Sequence, residues 1–122
     1  MIPSLHAQYL RERTNREILE VEEGFATYEY LPDGIVYIVD IYVVPDKRKT
    51  KIASMIADKI CEIAARDGMK ILQGSVDIRA KGATASLKVL EAYGMKVFKV
   101  EDNMIYYSKP IQDILKNDVE VV

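Results

Sequence analysis

Lys47, Arg48, Lys49 and Lys51 crowd into one short stretch of this 122-residue chain. They follow the β-branched and aromatic run Ile35–Val44 directly, and a helical pattern opens at about Ala53. Cations at such a place suit one chemistry above others. The N–H groups of a first helical turn lack intrahelical acceptors and the helix dipole favours negative charge there, so a strand, a basic loop and a helix N-terminus together hold phosphate or pyrophosphate. The competing reading is a solvated loop whose charges serve solubility. Elsewhere the chemically versatile residues are few. His6 is the only histidine and reads as a surface or packing residue of a terminal helix. Cys61, the only cysteine, falls beside an apolar helical stripe and reads as a buried small hydrophobe rather than a nucleophile.

Composition narrows the setting. The apolar fraction of 49% and charged fraction of 30% are those of a globular domain, and 122 residues suffice for one core, so residues 1–122 read as a single domain. A formal net charge of −2 argues against non-specific nucleic-acid binding, which needs a basic surplus. A single cysteine excludes an internal disulfide and a cysteine zinc cluster, and no metal site is expected. No apolar run approaches a membrane span, and Arg11, Glu12 and Arg13 interrupt any signal-peptide core. The expected location is the cytoplasm.

The elements that must position these residues follow from pattern. Ser4 is an N-cap for a helix to Arg13. Arg16–Glu22 reads as a strand, Gly24 as a turn, and Phe25–Leu31 as the next strand. Pro32-Asp33-Gly34 turns the chain into the long strand Ile35–Val44. Ala53–Arg66 is an amphipathic helix with Ile52, Ile56, Ile60 and Ile63 on one stripe, ended at Gly68. A strand at Lys70–Val76, a helix at Ala83–Tyr93, strands at Lys96–Val100 and Met104–Ser108, and a helical stretch from Pro110 to about Lys116 complete the order. The predicted class is α/β: a mixed, largely antiparallel sheet flanked by helices, with a βαβ crossover in the middle. The core spans about residues 16–109. The tail 110–122, with Ile111, Ile114, Leu115, Val119, Val121 and Val122, would suit docking on a protein partner or a second copy.

Several segments resemble the GCN5-related N-acetyltransferase (GNAT) superfamily. Ile41-Tyr42-Val43-Val44-Pro45-Asp46-Lys47-Arg48 is similar to the family's strand-to-loop sequence. Ala64-Ala65-Arg66-Asp67-Gly68-Met69-Lys70, Leu90-Glu91-Ala92-Tyr93-Gly94-Met95 and Asn103-Met104-Ile105-Tyr106-Tyr107-Ser108-Lys109 are similar to later family segments. The resemblance covers roughly Val21–Lys109 and implies a GNAT-like fold with reduced N-terminal elements. It further implies acetyl-CoA as donor substrate and an amine as acceptor. Arg48, Lys49, Lys51, Ile52 and Ala53 would hold the pyrophosphate, and main-chain atoms around Ile41 and Val43 would pair with the pantetheine arm.

The sequence also departs from the family pattern. Lys51 replaces the loop's central glycine, where a Cβ and a long side chain are expected to obstruct phosphate approach or force a strained φ. Ala83 stands where an asparagine is common. Leu90 stands where many members have the tyrosine that protonates the CoA thiolate, and Tyr93, one turn on, is the substitute candidate. For a general base, Glu29 is the candidate, since strict alternation puts Asp40 on the face opposite Tyr37, Val39 and Ile41. These departures give a second expectation: a degenerate active site on a catalytically lapsed module kept for structural or protein-interaction purposes.

Overall fold

The structure, a computed structural model, describes residues 4–120. Its elements run α1 (Leu5–Thr14), β1 (Glu17–Val21), β2 (Gly24–Leu31), β3 (Ile35–Val43), a 3-10 turn (Pro45–Lys47), α2 (Ile52–Arg66), β4 (Ile71–Asp77), α3 (Ala83–Ala92), β5 (Lys96–Glu101), β6 (Met104–Pro110) and α4 (Ile111–Glu120). The expected order is all present. Ser4 caps α1 as its position predicts, its Oγ accepting from the Ala7 N–H at 3.0 Å. The Pro32-Asp33-Gly34 turn works because Asp33 and Gly34 both take positive φ (70° and 75°).

The six strands form one sheet in the order β1-β2-β3-β4-β6-β5. All neighbours are antiparallel except β3 and β4, which α2 joins as a parallel crossover. Helices α2, α3 and α4 pack on one face. Ile56, Ile60, Cys61 and Ala64 of α2 meet Ala26, Tyr28, Val36, Leu72 and Tyr107 of the sheet, with Leu87, Leu90 and Tyr93 added from the α3 side. The buried stripe of α2 turns toward its small residues, Ala57, Cys61 and Ala64. Ile63 instead lines a cleft beside α1.

Three details differ from the sequence expectation. Gly24 is the first residue of β2 and not a turn, paired with both Val21 and Val43. A Cβ there would lie 2.2 Å from the Tyr42 carbonyl oxygen, so close strand approach is what demands the glycine. The last helix runs on to Glu120 rather than ending near Lys116. Finally, Ile111 and Ile114 are 2% and 4% exposed and belong to the chain's own core. The apolar residues that read as a docking tail therefore serve, in these two cases, to hold α4 against α2. Val121 and Val122 lie outside the described residues.

Candidate active site

Strand β3 spans Ile35–Val43 and β4 spans Ile71–Asp77, yet they pair only at Ile35↔Ile71, Val36↔Leu72 and Tyr37↔Gln73. Beyond Tyr37 the two parallel strands part. Strand β4 stays paired with β6 along its whole length, and β3 stays paired with β2, so the opening is a wedge inside the sheet. The β3 backbone from Ile38 to Val43 thus offers its β4-side edge to something other than a strand. At the closed end, the Tyr37 hydroxyl is hydrogen-bonded to Ser75 Oγ and ties the two strands together.

A β-bulge shapes this region. Tyr28 pairs with Ile38 and Thr27 with Asp40, which leaves Val39 as the extra residue. Directly opposed residues in an antiparallel pair share a face. Asp40 therefore sits on the face of Thr27, and Glu29 shares that face through its partner Tyr37. The alternation argument that set Asp40 opposite Tyr37 fails here, because the bulge flips the strand's parity. Glu29 is half-buried, with Arg16 Nε 3.9 Å from its Oε2. The wedge is thus flanked on its helix-free side by two carboxylates, Glu29 and Asp40, with Tyr37 and Ser75 at its base.

The basic loop lies at the open end. The first intrahelical bond of α2 runs from the Met55 N–H to the Lys51 carbonyl, leaving the Ala53 and Ser54 N–H groups without intrahelical acceptors. Lys51 caps the helix by position alone, with no side-chain bond, at an unstrained φ of −90°. The strain expected at Lys51 falls on Lys49 instead, whose φ is 65°. Thr50 Oγ1 donates to the Lys47 carbonyl at 2.5 Å and pins the loop. Arg48 folds back: its Nε donates to the Val43 carbonyl at 2.9 Å, and its guanidinium lies 5.4 Å from the centre of the Tyr42 ring. Lys47, Lys49 and Lys51 stay exposed.

Tyr93 ends α3, and its hydroxyl donates to Asp58 Oδ1 of α2. Burial, then the bond to Asp58, pushes that hydroxyl far above the ordinary tyrosine range. Leu90, one turn earlier, is the residue that overlies the β4 strand: a Cβ on Gly74 would come within 3.8 Å of its Cδ2. Ala83 is buried at the start of α3, His6 is exposed, and Cys61 is buried. A concavity of about 380 Å³ lies at the other end of α2, among Arg11, Glu17, Tyr28, Tyr30 and Asp67. Its polar groups answer one another, Arg11 to Glu17 and Tyr30 to Asp67. Among the described residues there is no cluster of three or more metal-ligating side chains. No helix among them is long and apolar enough to cross a membrane.

A parallel strand pair thus splays beside a bulge, with a basic loop and a helix N-terminus lacking a side-chain cap at its mouth. Residues 7–95 match the model of the Acetyltransferase (GNAT) family. The chain belongs to that family. Its fold is that of the PaiA N-acetyltransferase of Thermoplasma acidophilum in complex with coenzyme A (TM-score 0.67, 16% identity, 83% of this chain and 65% of that one). It is likewise that of the IAA acetyltransferase of Bacillus cereus (0.66, 14%, 88% and 85%). A GNAT acetyltransferase of Elizabethkingia anophelis with acetyl-CoA bound is similar to the same degree (0.66, 16%, 87% and 81%). A sequence comparison with curated proteins finds no match.

Proposed function

We propose that this chain binds acetyl-CoA in the β3–β4 wedge and transfers the acetyl group to an amine. The carrying observation is the parting of β3 from β4 after Tyr37, which leaves the Ile38–Val43 edge for a pantetheine arm to pair with. In this reading the main chain at Ile41 and Val43 bonds that arm. The free N–H groups of the first turn of α2, Ala53 among them, hold the pyrophosphate, joined by that of Ile52 once it leaves Thr50 Oγ1, and Arg48, Lys49 and Lys51 neutralise it. The amine approaches from the face of Glu29 and Asp40. Its nitrogen lone pair attacks the thioester carbonyl, the tetrahedral intermediate collapses, and the C–S bond breaks. Glu29 takes the proton lost by nitrogen, directly or through a water, and Asp40 holds the cationic end of the acceptor. The departing thiolate takes its proton from water, and Tyr93 acts as a brace between α2 and α3. The proposal includes a cytoplasmic location, supported by an acetyl-CoA donor and a lone cysteine.

Calorimetry with acetyl-CoA tests the binding step. Micromolar affinity is expected, weakened about tenfold in a Lys49→Ala/Lys51→Ala variant, which corresponds to about 1.4 kcal/mol. No heat of binding at millimolar acetyl-CoA would sink the proposal. A second reading, a catalytically lapsed GNAT module, draws support from Tyr93, whose hydroxyl is bonded to Asp58, and from Arg48, whose Nε is bonded to the Val43 carbonyl. Binding of acetyl-CoA without CoA release across a broad amine panel would favour that reading.

A further inference from the structure

Strand β5 lies at the outer edge of the sheet, beyond β6, and each of its residues, Lys96 to Glu101, is exposed. Val97, Phe98 and Val100 are 49%, 50% and 64% exposed. An edge this apolar invites a further strand, because among the described residues its outer N–H and C=O groups meet no strand and its side chains shed water on pairing. The question is which strand fits.

The register against β6 assigns each β5 residue to a face. Lys96, Lys99 and Glu101 oppose Ser108, Tyr106 and Met104, and so lie on the helix-free face. Val97 and Val100 oppose Tyr107 and Ile105, on the helix-covered face. The register slips between Val97 and Lys99, leaving Phe98 as the extra residue. Its ring lies 6.2 Å from that of Tyr106, and Lys99 Nζ lies 5.4 Å from the same ring, so Phe98 and Lys99 share the helix-free face. Read in either direction, the faces therefore follow one palindromic order. That symmetry is what a two-fold antiparallel pairing demands, since opposed residues must share a face. A regular strand with its axis between two residues would violate it, and the bulge removes the violation.

We propose that β5 pairs antiparallel with β5 of a second copy of this chain, about a two-fold axis between Phe98 and Lys99, joining the two sheets edge to edge. In that register Lys96 faces Glu101 of the second copy, and Glu101 faces its Lys96. Val97 faces Val100 at both ends, and the two Phe98 rings lie beside the two Lys99 ammonium groups. Lys96 with Glu101 matches in charge and Val97 with Val100 in polarity, while Phe98 with Lys99 sets an aromatic ring beside a cation. The ion pair within each chain, Lys99 Nζ to Glu101 Oε2 at 2.8 Å, leaves the other carboxylate oxygen for Lys96 of the second copy.

Sedimentation velocity and light scattering over micromolar to near-millimolar protein test this. A concentration-dependent dimer is expected. Lys96→Glu sets carboxylate against carboxylate at both ends and should weaken the dimer about tenfold or more. The double variant Lys96→Glu/Glu101→Lys should restore it, and circular dichroism checks that each variant is folded. Val100→Asp, which sets a carboxylate against Val97, should abolish the dimer. A monomer at every concentration overturns the proposal, as does a dimer indifferent to Lys96→Glu or a double variant that stays weakened. These readouts need no acetyl-CoA, so they stand or fall apart from the enzymatic reading.

Discussion

Whether a carboxylate can serve an amine depends first on the side of the strand from which it projects. Asp40 and Glu29 reach the same side only because Val39 is extra in β3, an arrangement set by pairing with β2 rather than by the sequence of β3. Within Ile35–Val44 alone, alternation is the best available rule, and it misplaces Asp40. Glu29→Gln is expected to lower kcat by about a hundredfold or more, as loss of a general base does, while leaving acetyl-CoA affinity intact. Asp40→Asn should instead raise KM for the acceptor with kcat nearly held, and steady-state kinetics over the amine panel separate the two. Equal loss of kcat in both variants would contradict this division of roles. Tyr93→Phe should keep near-normal turnover, because its hydroxyl is committed to Asp58. The same change should lower unfolding stability by about 1 kcal/mol, the usual worth of a hydrogen bond in denaturant titration. The Tyr93–Asp58 partnership spans elements too far apart in sequence to be read from spacing. Ser4 and the Pro32-Asp33-Gly34 turn were legible because their partners are local.

At the scale of elements, the strands and helices came through in order because each carries its own periodicity and its own stop signal. Their edges depended on neighbours. Gly24 looks like a turn in sequence, yet it is held by the approach of the Tyr42 carbonyl from β3. Gly24→Ala should therefore destabilise the protein by about 1–3 kcal/mol, the cost of forcing volume into a packed site, measured as a lower urea midpoint. An unchanged midpoint would mean that β2 and β3 shift apart freely. The loop before α2 shows the same dependence. Lys51 was the residue expected to suffer for replacing a glycine, yet the backbone puts its left-handed turn at Lys49 and lets Lys51 relax. Helix α4 belongs here as well: Ile111 and Ile114 looked free for a partner until α2 was seen to cover them.

For the whole molecule, alkaline pH is the informative stress. Burial, then the hydrogen bond to Asp58, holds the folded Tyr93 hydroxyl above the ordinary tyrosine range, so the fold favours the neutral form. That contribution is complete below about pH 10 and is lost as pH rises beyond it, because the unfolded chain releases the proton more readily. Thermal unfolding should thus be insensitive to this group at neutral pH and fall above pH 10. The Tyr93→Phe variant should show a shallower fall, and identical alkaline slopes in the two proteins would refute the assignment.

The three residue pairs that join β3 to β4 have a consequence for the molecule as a machine. One half of the sheet, β1-β2-β3, and the other, β4-β6-β5, are each stitched by local hairpin or long antiparallel ladders, whereas this short seam, the Tyr37–Ser75 bond beside it and the overlying helices join the two. The seam is then the soft joint of the unliganded protein, and anything seated in the wedge acts as a missing rung. Amide hydrogens of β3 beyond Tyr37 should exchange with solvent faster than those of β2. Saturating acetyl-CoA should slow them and raise the melting temperature, a ligand at about a hundred times its Kd adding about 2.7 kcal/mol to the folded state.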